Sequence, residues 1–301
     1  MSMRSTSVIL LLGIVPWVLS TASESDGRPP NIVYIMADDL GFGGVSYNGQ
    51  QVYSTPQMDR LSREGMILNQ FYSGSPVCAP TRCTLMTGLH TGHAHIRGNS
   101  GKRPDGSSFR VSLRQADLTI AEVLQAAGYA TACIGKWGIG EEGTEGVPWK
   151  QGFDRFVGLL NQDHASRHFP EFLYFNEEKR ALVKNYEYNA KRFTQDIFLE
   201  ESLAFIEANR DRPFFLYAGW TLPHQELKVP EADLAQVAIN PEFEAGVFDD
   251  ARTMIAMIQC FDRDVGRIVE KIDQLGLGRD TLIIATSDNG RNTRMAGRWI
   301  Y

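Results

Sequence analysis

The run Asn31-Ile-Val-Tyr-Ile-Met-Ala37 limits most tightly what this chain can fold into. After its first residue it is apolar throughout, with no alternation, so the strand it predicts is buried on both faces. Such a strand needs a covering layer on each side, as a central strand has in a helix-flanked sheet. The rest of the chain repeats the theme. Leu118 to Ala127 predicts a helix ended by Gly128, with the strand Tyr129 to Ile134 behind it. A helix over about Arg192 to Asn209 precedes the strand Phe214 to Trp220. Met254, Ile258, Phe261, Val265, Ile268, Ile272 and Leu275 fall four and three apart, the period of a long amphipathic helix, closed by Gly276. Thr281 to Thr286 is a last strand, and Thr55-Pro56 opens a short helix, with Thr55 as N-cap and Met58 and Leu61 turned inward. Strands alternating with helices predict an α/β fold, a mainly parallel central sheet flanked by helices on both faces. There is no internal repeat or low-complexity tract.

With 43% hydrophobic and 22% charged residues the composition is that of a soluble globular protein. A net charge of −6 and a pI near 5.6 argue against a nucleic-acid or general polyanion binder, while leaving room for a local cationic pocket. At the N-terminus, Arg4, the apolar run Val8 to Leu19 and the small residues Ser20-Thr21-Ala22 read as a signal peptide over residues 1–22. The run contains Pro16 and is too short for a stable membrane span, so the expectation is export to a periplasmic or extracellular space. Residues 23–30 then form a polar linker and 31–301 one domain. Cys78, Cys83, Cys133 and Cys260 include no C-x-x-C pair and suggest no disulfide framework. Cys83, Cys133 and Cys260 read as small buried hydrophobes, whereas Cys78 has polar neighbours.

In parallel sheets ligands gather beyond the carboxyl ends of the strands. Asp38-Asp39 follows the first strand and Ser287-Asp288-Asn289-Gly290 the last. Together Asp38, Asp39, Asp288 and Asn289 offer oxygen donors suited to a hard cation, calcium in preference to magnesium; either pair alone also reads as a turn or helix cap. His90, His93 and His95 lie close enough in sequence to suggest zinc, but their turn-rich surroundings read as a structural loop.

Cys78-Ala79-Pro80-Thr81-Arg82, followed directly by Cys83-Thr84-Leu85-Met86-Thr87-Gly88 and combined with the two acidic strand ends, resembles the signature of the sulfatase family. The resemblance implies an alkaline-phosphatase-like α/β sandwich and metal-dependent hydrolysis of sulfate esters on sulfated small molecules or carbohydrates. It implies that a formylglycine-generating enzyme oxidises Cys78 to formylglycine. One hydroxyl of the hydrated aldehyde then attacks sulfur, and loss of the proton from the second expels sulfate. Position 78 would complete the metal site formed by Asp38, Asp39, Asp288 and Asn289. Pro80 suits the first turn of a helix, placing position 78 near backbone N–H groups, with Arg82 one turn on to hold it or the metal-side carboxylates. Gly135-Lys136-Trp137 resembles the second signature, making Lys136 a sulfate contact. Thr221-Leu222-Pro223-His224 resembles a Pro-His element whose histidine contacts the sulfate or the leaving-group oxygen. Lys228 is nearby but matches no motif.

The pattern also departs from the family. Gly138 stands where G-K-W-H relatives carry the histidine understood to take the proton that drives the second step. Within Asn161-Gln162-Asp163-His164-Ala165-Ser166, Ser166 stands where bacterial-type relatives carry another histidine. Beyond Gly290 relatives continue with further strands, a second active-site lysine and a smaller C-terminal subdomain, which this chain is expected to lack. Three alternatives stay open: a catalytically impaired binder of sulfated ligands, a gene fragment, and a phosphate-ester hydrolase of the same superfamily. Cys78 and the all-oxygen metal set count against the last.

Overall fold

A computed structural model of the chain describes residues 27–182 and 192–291. The signal-peptide reading of residues 1–22 lies outside the described residues, as does the first half of the linker, residues 23–26. In chain order the strands are β1 (Asn31–Ala37), a small hairpin of β2 (Gly101–Lys102) and β3 (Ser108–Phe109), β4 (Ala130–Lys136), β5 (Arg155–Leu159), β6 (Phe172–Phe175), β7 (Glu178–Ala181), β8 (Phe214–Gly219) and β9 (Thr281–Ser287). The helices are α1 (Pro56–Glu64), α2 (Cys78–Thr87), α3 (Ile120–Ala126), α4 (Thr194–Ala208), α5 (Glu231–Ala235) and α6 (Asp249–Gln274).

The main sheet runs β7-β6-β5-β4-β8-β1-β9. From β5 to β9 every neighbouring pair is parallel, and β6 and β7 add an antiparallel edge. The unbroken apolar runs are explained by burial on both faces. Val33, Ile35 and Ala37 of β1 pack with Ala132, Ile134, Leu216 and the inward side chains of α4 and α6 in one layer. Tyr34 and Met36 point the other way, joining Cys133, Phe215, Tyr217, Cys83 and Met86 in the second. On α6 the predicted stripe Met254, Ile258, Phe261, Val265, Ile268 and Ile272 is buried, each side chain contributing about 1.5–3 kcal/mol of transfer free energy. The helix stops before Gly276, whose φ of +70° favours glycine.

Several boundaries differ from the sequence reading for local reasons. The helix expected from Leu118 starts at Ile120, because Thr119 is its N-cap in a capping box with Glu122. The strand expected to end at Ile134 continues through Lys136, so that lysine lies within β4. Thr55 precedes α1 as expected, but its hydroxyl accepts from the Ser46 N–H rather than capping the helix. Asp262 of α6 takes that role: its carboxylate accepts from the N–H of Gln57 at 3.1 Å and of Met58 at 2.8 Å. All four cysteines are buried and unpaired. Among the described residues no helix is long and apolar enough to cross a membrane.

Candidate active site

The parallel sheet brings the carboxyl ends of β1, β4, β8 and β9 to one side, and the N-terminus of α2 meets them there. Cys78 is the first residue of α2, so it belongs to the first turn itself instead of standing beside it. Pro80 falls in that turn, where a missing N–H leaves no intrahelical bond unmade, and the Ala79 N–H donates to Asn99 Oδ1 at 2.9 Å. The Asp38 N–H donates to Leu222 O at 3.0 Å, tying the end of β1 to the turn after β8.

Around position 78 the structure assembles charged side chains, of which Asp38, Arg82, Lys136 and Asp288 have no solvent exposure. Lys136 Nζ lies 2.7 Å from Asp38 Oδ2. Arg82 Nη2 lies 2.9 Å from Asp288 Oδ2 and 3.7 Å from Asp38 Oδ2, while its Nη1 donates to Lys136 O and to Tyr217 Oη. Asp39 takes a φ of +65°, a left-handed conformation that Asp adopts more readily than most residues. Its N–H donates to Asp288 Oδ1 at 3.1 Å. Asn289 donates from Nδ2 to Asp39 Oδ1, and His224 Nε2 lies 3.8 Å from Asp39 Oδ2. Cys78 Sγ is 3.3 Å from Asp38 Oδ1.

Two cations thus face three carboxylates. Burial works to raise the pKa of Asp38, but Lys136, then His224 and Arg82, override it and hold that carboxyl well below the usual range. Burial and then the charge of Asp38 push Asp39 and Asp288 up. Burial opposes the Lys136 ammonium, yet Asp38 beside it prevails and its pKa is raised. The Cys78 thiol is driven far up by burial and then by Asp38, so it is a neutral thiol, a poor nucleophile as it stands.

This arrangement fits a hard divalent cation. One donor atom each from Asp38, Asp39, Cys78 and His224 lies within 4.8 Å of the others, and Asn289 Oδ1 is buried with no hydrogen-bond partner among the described residues. Unpartnered oxygen and crowded carboxylates are what such an ion compensates. His224, read from sequence as a sulfate contact, is thereby also within reach of the metal-side carboxylates. Asp288 is not among those four donors; its Oδ1 accepts from the Asp39 N–H and its Oδ2 from Arg82.

Other candidates fall elsewhere. His90, His93 and His95 are exposed and form no metal-holding group among the described residues. Lys228 pairs with Glu226 on the surface. Gly138 has a φ of +79°, and a Cβ there would meet Gln162 Nε2 at 2.6 Å and Arg82 Cδ at 3.3 Å. Gln162 Nε2 donates to Gly138 O at 3.0 Å, so its carboxamide fills the room a histidine would need. The Ser166 hydroxyl donates to Gln162 O and, among the described residues, makes no hydrogen bond to Cys78, Asp38, Asp39 or His224. The sequence reading passed over Gln162, Tyr217 and His168. Tyr217 sits in an apolar run that says nothing of its hydroxyl, and His168 carries no motif.

The sulfatase family profile matches residues 30–299. The chain is 31% identical over 288 residues to N-acetylgalactosamine-6-sulfatase of Mus musculus, covering 87% of this chain and 51% of that protein. It is 29% identical to Arylsulfatase J of Mus musculus, covering 92% of this chain and 47% of that one. Among solved structures, Ps i-CgsB in complex with k-i-k-neocarrahexaose superposes with a TM-score of 0.74 at 26% identity, over 90% of this chain and 63% of that one. The phosphonate monoester hydrolase of Agrobacterium radiobacter shares the fold alone, at 19% identity and a TM-score of 0.59, over 90% of this chain and 65% of that one. The chain spans about half the length of the relatives it matches. With the profile extending across the acidic strand ends, Cys78, Lys136 and His224, the chain belongs to the sulfatase family.

Proposed function

We propose that this chain carries the catalytic machinery of an exported, metal-dependent sulfuric ester hydrolase. The observation that supports it most is Cys78 in the first turn of α2, its Sγ clustered with donor atoms of Asp38, Asp39 and His224. Asp38, Asp39, Asp288 and Asn289 would hold calcium, with position 78 completing the set. When present, the cation and a formylglycine made from Cys78 supply a Lewis acid and an acidified hydroxyl nucleophile. Maturation requires an encounter with a formylglycine-generating enzyme.

The chain's own groups supply the remainder. Arg82 holds Asp288 in place by charge-assisted hydrogen bonds and Asp38 by a longer ion pair at 3.7 Å. Lys136 Nζ, buried where electrostatic interactions are strong, is the donor for a sulfate oxygen. His224 Nδ1 donates to Gln225 O at 2.7 Å, which leaves Nε2 facing the site to serve the leaving-group oxygen. A sulfated carbohydrate is the favoured substrate class, because a structural relative was solved with an oligosaccharide.

The test is turnover of a chromogenic aryl sulfate by chain co-expressed with a formylglycine-generating enzyme, with calcium. Cys78→Ala should abolish turnover, and His224→Ala should lower it by about 10²–10⁴. An aldehyde at position 78 confirmed by mass spectrometry without turnover sinks the proposal. Preferential turnover of the matching aryl phosphate points to the phosphate-ester reading. A second reading, a binder of sulfated ligands without turnover, is favoured by the Gln162 carboxamide filling the space beside Gly138. Retained binding of a sulfated disaccharide by the aldehyde-bearing, inactive chain supports it.

A further inference from the structure

His168 is fully buried and takes no part in the site described above. Its Nε2 lies 2.8 Å from His224 O and its Nδ1 3.4 Å from Thr221 Oγ1. A backbone carbonyl only accepts, so Nε2 carries the proton and Nδ1 the lone pair, which accepts from the Thr221 hydroxyl. Burial holds the pKa of this imidazole down to about 4, which keeps it in that neutral form. The two bonds grip both ends of the four-residue turn that follows β8. A third tie lies next to them: the Glu226 N–H donates to Ser166 O at 2.7 Å. The segment after β5 is itself anchored, since the Thr194 N–H at the start of α4 donates to His168 O at 2.9 Å and the ring stands edge-on to Phe193.

We infer that His168 is a positioning residue, which clamps the Thr221–His224 turn so that His224 Nε2 faces Asp39 and position 78. Without the clamp, the His224 carbonyl is a buried acceptor with a lost partner, and the turn relaxes by rotating the residue that carries the imidazole. The inference rests on the proposed role of His224, and the experiment separates the two.

His168→Phe keeps the ring volume beside Phe193 and loses the donor; His168→Gln keeps an N–H donor. In the full, unmodified chain, the His224 imidazole signals in ¹H–¹⁵N spectra should shift or broaden in His168→Phe and return near the parent position in His168→Gln. In matured protein, His168→Phe should lower kcat on an aryl sulfate by about ten- to a hundredfold with KM nearly unchanged. A folded His168→Phe whose His224 signals superimpose on the parent's overturns the inference. Should that variant fail to fold, Thr221→Val removes the hydroxyl that donates to His168 Nδ1, and so one of the two bonds of the clamp, while leaving the ring in place, and the same spectra decide. If the matured parent turns nothing over, the hydrolase proposal falls while the spectra still judge the clamp.

Discussion

At the residue scale, Lys136 and Arg82 show how a charged site survives inside a core. Each lies fully buried against a carboxylate, and removing one partner of such a pair typically costs about 3–5 kcal/mol through the charge left behind. The motifs C-x-P-x-R and G-K-W named these residues because residue type and spacing are properties of the chain. Their mutual distances are not, and neither is the fate of Gly138. The missing histidine reads in sequence as a simple loss, but the backbone there is left-handed and Gln162 occupies the adjoining space. Gly138→His is therefore expected to lower stability by roughly 1–3 kcal/mol through strain and overpacking. Gln162→Gly in the same chain should recover part of that loss, measured as coupling in a double-mutant cycle of urea unfolding. A Gly138→His chain that unfolds with the parent would show that the space is not contested.

At the element scale, apolar runs and periodicity located β1, β4, β8, β9, α3, α4 and α6 because burial faces follow from side-chain order. By contrast β2, β3, β5, β6, β7 and α5, each five residues or shorter, were passed over. Helix starts were less legible. Thr119 and Glu122 cap α3 from within their own segment, whereas α1 is capped by Asp262, 204 residues away from Met58. Burial pushes the Asp262 carboxyl up to about 6, with the Met58 and Gln57 N–H groups pulling the other way. Because that lies above the unfolded value of about 4, the native chain binds more protons than the unfolded chain across about pH 4–6. The contribution of this group to stability therefore declines as pH rises through that window and is level above it. Asp262→Asn should remove that slope from urea midpoints measured between pH 4 and 7, as a difference from the parent, while retaining one capping oxygen. An unchanged slope would exclude Asp262 as its source.

At the scale of the whole molecule, stability and site share the same interior. His164 and His168 are both held down to about 4 by burial and are neutral in the native state. The unfolded chain takes up protons at about 6.5, so stability is lost as pH falls from about 6.5 toward 4, by up to about 3 kcal/mol per histidine. His164→Phe, which keeps the packing on Phe172, should shrink the loss of urea midpoint between pH 7 and 5; an equal loss in both chains would assign the acid sensitivity elsewhere. What the sequence by itself determined was the alternation of elements, the two-sided burial of β1, and the residue types that mark a sulfatase, since periodicity and motif are written in order along one chain. Only the tertiary structure decided which atoms meet. Asp38 is paired with Lys136, Arg82 with Asp288, Gln162 with Gly138 and His168 with His224, partners that are 206 positions apart in the extreme case. Contacts of that kind depend on how layers stack around the sheet, which no local pattern of residues encodes.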